Sequence, residues 1–300
     1  MSKQTYISRY LKIINYLKRG KASFEDICNY LEKQSEIEGL DLNISQRTLQ
    51  RDLNEIRTIY NIDIKCNKSN GLYYIADEDD LNENQHLLAS FDLFNALRLT
   101  SNYSNLIQFE NENVKGSEHI YPLLQAIKSK SLTEIVYKKF YEDEASKVLL
   151  EPYLLKQFKN KWYLICVKSE SQEIRTYALD RIQTLEIKRK RFTPSGKLDL
   201  NTFSNNSFGI INPTNQKVEK IVFSFDSEQA NYIKHFPIHK SQKILKEEVD
   251  SVTFQIEVFI TYDLIAEFLM YGESITIQSP KKLIKELKDS YNTCLKKYSA

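Results

Sequence analysis

Three hundred residues are more than one small core accounts for, and 41% apolar with 27% charged side chains describe a folded chain of two or three domains rather than a disordered one. No run approaches the ~20 apolar residues a membrane span needs, and Met1 to Lys12 lacks a signal-peptide core, so no membrane association and a cytoplasmic location are expected. Four scattered cysteines without a C-x-x-C exclude a disulfide framework and a zinc knuckle. The net charge of +2 conceals an uneven distribution: basic residues exceed acidic ones by three over 1–75, acidic exceed basic by seven over 76–125, and basic exceed acidic by six over 126–196. Basic surfaces attract phosphates, so two of these stretches are candidates for anionic partners.

The first helix is expected from Thr5 to Arg19, with Ile7, Tyr10, Leu11, Ile14 and Leu17 inward and Gly20 as its stop. Ser23 to Asp26 carries a capping-box pattern for a second helix ending near Lys33, leaving a long connection from Gln34 to Ile44. Ser45 is then a good N-cap for a third helix, whose Leu49, Leu53 and Ile56 share one stripe. Arg47, Arg51 and Asn54 fall on the opposite face, with Gln50 at its margin. These side chains can bond guanine or adenine bidentately in a major groove, although an ordinary surface helix has the same stripe. Asp52 lies nearer the buried side and is expected to pair with an Arg or Lys inside the domain. After Ile59 the period changes to alternation, and Ile62–Lys65 with Leu72–Ile75 form a hairpin around a Lys-and-Asn tip. Three helices and a hairpin, with the string Ser45 to Leu53 (SQRTLQRDL), resemble the winged helix-turn-helix domain of bacterial transcription regulators. The resemblance implies a DNA-binding domain over 1–78, with Arg47, Gln50, Arg51 and Asn54 as readers and Lys65 and Lys68 as phosphate contacts from the wing.

A helical linker is expected over 79–130, with one helix over Asn82–Leu99, a short strand at Leu106–Phe109, and another helix over Tyr121–Lys130 that turns Leu123, Leu124 and Ile127 inward. Five strands follow, over Leu132–Lys138, Val148–Phe158, Lys161–Val167, Ile174–Leu179 and Thr184–Phe192, which suggest a small barrel over 131–196. Tyr137, Pro152, the triplet Trp162-Tyr163-Leu164, and Arg175 with Asp180-Arg181 stand in the order of a WYL domain, which this stretch resembles. That resemblance implies an SH3- or Sm-like barrel sensing an anionic effector, a nucleotide or single-stranded nucleic acid, at the positions Tyr137, Lys156, Arg175 and Arg181. Arg offers a planar fork to phosphate and Tyr a face to a base. Pairing of Arg175 or Arg181 with Glu151, Asp180 or Glu186 is the alternative. Trp162 and Tyr163 read most simply as packing residues.

Thr193 to Lys217, rich in Asn, Ser, Gly and Pro, reads as a linker. Over 216–300 the pattern alternates β-α-β-β-α-β, a ferredoxin-like order, and Phe236–Gln242 and Met270–Pro280 resemble the extension that often follows WYL domains. The whole is therefore expected to be an α+β multidomain chain. His235 and His239 have metal-pair spacing, but Pro237 between them breaks the helix that spacing needs, so no metal is expected. Phosphate-cradling and nucleophile-elbow motifs are absent from the sequence, so no cofactor and no catalytic residue are assigned. The function expected is an effector-responsive regulator of transcription, a homodimer on double-stranded DNA; the alternative is an RNA- or nucleotide-processing enzyme that uses the basic barrel.

Overall fold

The computed structural model describes residues 3–76, 90, 115–194, 196, 199–211 and 216–298. It is an α+β chain that divides into two compact units, Met1–Glu110 and Asn111–Ala300. The linker helix expected over 82–99 and the strand at 106–109 lie outside the described residues. Among the described residues no helix is long and apolar enough to cross a membrane.

The first unit contains α1 (Lys3–Leu17), α2 (Phe24–Glu38) and α3 (Gln46–Tyr60), followed by an antiparallel hairpin of β1 (Ile64–Asn67) and β2 (Leu72–Ile75). Ile13, Ile14, Ile27, Leu31, Leu49 and Ile56 are fully buried at the centre of one cluster drawn from all three helices. Ile7, expected inside, is only partly buried, whereas Arg9 is wholly buried. The second helix extends past Lys33 to Glu38, where Gly39 at φ 65° caps it in the left-handed conformation that glycine adopts without steric cost. The connection to α3 is correspondingly shorter than expected, with Leu42 buried in it and Ile37 three-quarters exposed. Both N-caps act as the sequence implies: Ser23 and Asp26 form the reciprocal capping box, and the Ser45 hydroxyl accepts from the Thr48 N–H. Ala22 exchanges two backbone hydrogen bonds with Tyr73, so the α1–α2 connection is tied to β2 of the hairpin by an isolated antiparallel bridge.

The second unit opens on α4 (Ile120–Ser129), which packs Leu123 and Ala126 onto a five-stranded antiparallel sheet; Leu124, expected inward, is half exposed. The strands are β3 (Ser131–Tyr137), β4 (Ser146–Phe158), β5 (Lys161–Lys168), β6 (Ile174–Ala178) and β7 (Ile182–Arg191). Their order is β6-β5-β4-β3-β7, and among the described residues no hydrogen-bonded pairing of β6 with β7 closes this sheet into the small barrel expected. In β5 the period of two sends Leu164 and Cys166 into the core beneath α4, while Tyr163 and Ile165 face a second apolar cluster. That second cluster is completed by α5 (Leu200–Asn206), capped by Asp199, whose Phe203 is 1% exposed. The stretch read as linker thus contains a helix that covers the other face of the sheet. Both faces of β5 are therefore covered, which accounts for its nearly continuous apolar run.

The chain continues through β8 (Glu219–Asp226), α6 (Ser227–His235), β9 (Lys243–Glu247), β10 (Ser251–Val258), α7 (Tyr262–Met270), β11 (Ile275–Ser279) and α8 (Lys281–Tyr298). These realise the β-α-β-β-α-β alternation as an antiparallel sheet in the order β11-β8-β10-β9. Phe223, Phe225, Phe254 and Phe268 fill its core with ring centroids 5.4 to 6.3 Å apart, spacings that suit edge-to-face and offset packing.

Candidate functional site

On α3 the buried residues are Leu49, Asp52, Leu53, Ile56 and Tyr60, and Arg47, Gln50, Arg51 and Asn54 are all exposed. The capped start and the apolar stripe therefore turn the four candidate readers toward solvent together. Gln50, at the margin of that face, donates to the Tyr73 hydroxyl at 3.4 Å, which ties the helix to β2. Arg57 binds Asp63 at the root of the hairpin and holds its carboxyl below the usual range. Lys65 joins the same carboxylate at 3.5 Å, so its charge is partly compensated. Lys68 is exposed in the turn between β1 and β2, with no ion pair among the described residues. Asn67 Oδ1 shapes that turn by accepting from the Ser69 N–H and hydroxyl, and Gly71 completes it at φ 69°.

Asp52 has the intradomain partner expected of it. Arg9 Nε donates to its Oδ2 at 2.6 Å, with both side chains wholly buried. Arg9 itself escaped the reading of α1 as an apolar stripe. Its signal was a cation at Arg9, one turn before Ile13, matched by an anion on the buried side of α3.

In the second unit Tyr137, Arg175 and Arg181 come together, with Lys139, Phe140 and Lys168, around a cavity of about 470 Å³. A second cavity of about 320 Å³, lined by Lys138, Asp180 and Gln183, shares Lys139, Phe140 and Arg181 with it. Arg181 follows the short turn after β6, and its guanidinium carbon lies 4.3 Å from the centroid of the Phe140 ring and 5.5 Å from that of Tyr137. Phe140 is 73% exposed and Tyr141 is fully exposed, so the β3–β4 loop brings two aromatic faces to the cations. Tyr137 is nearly buried, accepts from the Ala178 N–H and meets Tyr177 edge-on at 4.8 Å. Burial raises the pKa of both phenols, so they are neutral hydroxyls at ordinary pH.

The cations differ in how far they are compensated. Arg175 is bound by Glu173 at 2.7 Å, a partner two residues away on its own chain segment rather than any of the cross-strand carboxylates considered. For Arg181 the carboxylate is Asp180, 3.9 Å from its Nε, and Asp180 is itself held by Lys161 at 2.7 Å. The Nε of Arg181 is buried and makes no hydrogen bond among the described residues.

Lys156 is not part of this cavity. It points to the opposite face of the sheet, where its ammonium donates to the Ser207 carbonyl at 3.0 Å and lies 5.1 Å from the Phe203 ring centroid. Burial lowers its pKa against the pull of Asp263. The WYL resemblance implied an effector-facing position for it, but α5 covers that face and makes it a tether.

Ser207 begins a strap that runs to Ile211. Thr176, which lines the larger cavity, donates to the Ile210 carbonyl at 2.9 Å. Asp263, in the first turn of α7, accepts from the Ile210 and Ile211 N–H groups at 2.8 and 3.2 Å. Gly209 stands at φ 78° against that carboxylate, where a Cβ would fall 2.5 Å from Asp263 Cγ. The strap therefore bonds the strand that lines the cavity on one side and the C-terminal sheet's helix on the other. Among the described residues no group of three or more His, Cys, Asp and Glu is placed to hold a metal ion.

Residues 118–187 match the family model of the WYL domain, and residues 217–292 that of the WCX domain. The chain carries a WYL domain followed by a WCX domain. The cavity and its three candidate residues all lie within the WYL domain, which includes α4, and the strap lies between the two domains. No curated protein matches the chain in sequence. Among solved structures it is similar to the proteasome accessory factor B/C (PafBC) of Arthrobacter aurescens, at 14% identity and a TM-score of 0.38 over 94% of this chain and 46% of that one. It is also similar to a CRISPR Cas-related protein, at 16% identity and a TM-score of 0.40 over 99% of this chain and 84% of that one. The chain thus spans about half the length of PafBC.

Proposed function

We propose that this protein is an effector-responsive regulator of transcription that acts by binding rather than by catalysis. The first unit serves as a winged helix-turn-helix domain: α3 enters the major groove of double-stranded DNA and the β1–β2 hairpin meets phosphate. The WYL cavity takes an anionic effector, a nucleotide or single-stranded nucleic acid, with Arg175 and Arg181 on phosphate and the exposed aromatics on a base. The protein works as a homodimer in the cytoplasm, because paired half-sites raise affinity and specificity beyond what one small domain achieves. The observation that carries this reading is the joint exposure of Arg47, Gln50, Arg51 and Asn54 on one capped helix whose other face is buried. The WYL and WCX matches support a regulator at the level of the family.

The test is the binding of the full chain to genomic DNA fragments. A sharply preferred site is expected, on which Arg51→Ala costs about 1–3 kcal/mol, whereas Lys68→Ala weakens all sequences alike and reduces the salt slope by about 1. Uniform binding to all fragments, or four outward substitutions that leave specific binding unchanged, would overturn the assignment of α3. Light scattering is expected to give a dimer at micromolar concentration.

A further inference from the structure

The buried side of α3 reaches one of its outward residues. The Arg9 bond uses one oxygen of Asp52; the other, Oδ1, makes no hydrogen bond among the described residues and lies 3.6 Å from the terminal Nη2 of Arg51. Tyr6, one turn before Arg9 on α1, brings its ring to both cations. Its centroid is 5.2 Å from the guanidinium carbon of Arg9 and 5.5 Å from that of Arg51. Arg51 thus has an anion near one terminal nitrogen and an aromatic ring within cation–π range of its guanidinium, yet its side chain remains 59% exposed. Its neighbour on the outward face, Arg47, has no such partner among the described residues.

We propose that Tyr6 and Asp52 are positioning residues that fix the Arg51 guanidinium in one orientation before DNA arrives, leaving its free edge as a preset fork for guanine. The inference rests on the DNA-reading assignment for its consequence, but the holding itself belongs to the DNA-free protein. An arginine side chain carries much rotamer freedom, and a cation already held by an anion and a ring surrenders less of it on contact. A preset fork also raises specificity, because a guanidinium that cannot swing aside meets a wrong base with unpaired donors. Tyr6 thereby becomes a determinant of which base Arg51 accepts.

The experiment uses the full chain with Tyr6→Leu, Tyr6→Phe and Arg51→Ala. In the absence of DNA, the side-chain Nε–H of Arg51, followed by ¹⁵N relaxation, is expected to be ordered in the parent and in Tyr6→Phe. It should become mobile in Tyr6→Leu, with the Arg47 Nε–H mobile in all three. On the preferred DNA site Tyr6→Leu should weaken binding about three- to tenfold, as expected for one newly loosened side chain. The salt slope should not change, and the loss should vanish when Arg51 is already alanine. Equal Arg51 mobility in the parent and Tyr6→Leu overturns the proposal, as do losses from Tyr6→Leu and Arg51→Ala that multiply independently. If the parent has no preferred DNA site, it is the DNA-reading assignment that fails, and the relaxation comparison still decides whether Tyr6 holds Arg51.

Discussion

Gly209→Ala should release the strap between the WYL and WCX domains at one point. Two costs add. An alanine forced to φ near 78° loses roughly 1–2 kcal/mol to the clash of its Cβ with the backbone. The same Cβ overlaps the Asp263 carboxylate, which must swing away from the Ile210 and Ile211 N–H groups, and hydrogen bonds to a charged acceptor contribute about 1.5–3 kcal/mol each. Partial rehydration of the half-exposed amides returns some of this, so a local loss of about 3 kcal/mol is reasonable. Native-state hydrogen exchange reads it directly: the Ile210 and Ile211 amides should exchange about a hundredfold faster, with the amides of β8 and β10 unchanged. Asp263→Ala should accelerate the same two amides while removing the obstacle, so adding Gly209→Ala to it should cost only the backbone share. Exchange rates within tenfold of the parent in Gly209→Ala, or full additivity of the two substitutions, would refute the account of the strap.

Breaking the buried Arg9–Asp52 pair by Asp52→Ala should destabilise the first unit by about 3–5 kcal/mol, since it removes the carboxylate that compensates a wholly buried guanidinium; replacing both with apolar residues should recover most of the loss, as read by hydrogen exchange in α1 and α3 under urea. Arg181→Ala should weaken binding of a nucleotide at the WYL cavity more than Arg175→Ala, because Arg175 is already engaged by Glu173; isothermal titration with an identical ligand series checks the order, and a reversed order counts against the cavity assignment. His239 is kept neutral by burial, with its pKa lowered to about 4, and its Nδ1 accepts from the Ser241 N–H. Between its ordinary pKa and about 4 the unfolded chain binds the extra proton, so stability is full above pH ~6.5 and declines as the pH falls toward 4; His239→Gln should flatten that decline in denaturation midpoints.

Elements with a strong local period were legible. The stripe of α3, its Ser45 cap, the five strands of the WYL sheet and the β-α-β-β-α-β tail all follow from periodicity and capping chemistry. The misses share a cause, which is that tertiary contacts decide them. Residues Gln34 to Glu38 are helical although Ile37 gains no burial there, and what holds this turn to the domain is Glu38, which bonds Ser8 and Lys12 of α1. The helix at Leu200–Asn206 is polar except for Leu200 and Phe203, so it has no stripe to read; only Asp199 before Asn201 and Thr202 hinted at a cap. Lys156 was placed on the right strand but assigned to the wrong face, because one sequence does not say that α5 covers that side. The cavity's aromatic partners, Phe140 and Tyr141, lie in a loop without periodicity, and only the fold brings them beside Arg181.

The basic surplus of the WYL segment also changes meaning once partners are visible. Lys147 and Lys188 share Glu134, whose carboxyl they hold below its usual range, with Lys147 the larger influence. Lys188 is bound by Glu186 as well, Lys139 by Glu142, Lys159 by Glu267 and Lys161 by Asp180. Surface pairs of this kind add little stability, but they cancel much of the field that a count of charges suggests. What they leave is local. Lys161 draws off the carboxylate nearest Arg181, and the Phe140 ring shields one face of that guanidinium from water. A cation with a distracted counter-ion and a partly dry face attracts an anion more strongly than a solvated lysine does, because the ligand displaces less water and competes with no tight ion pair. The surplus counted along the sequence is therefore largely cancelled by pairing, and Arg181, whose nearest carboxylate is held by Lys161, is less compensated than Arg175.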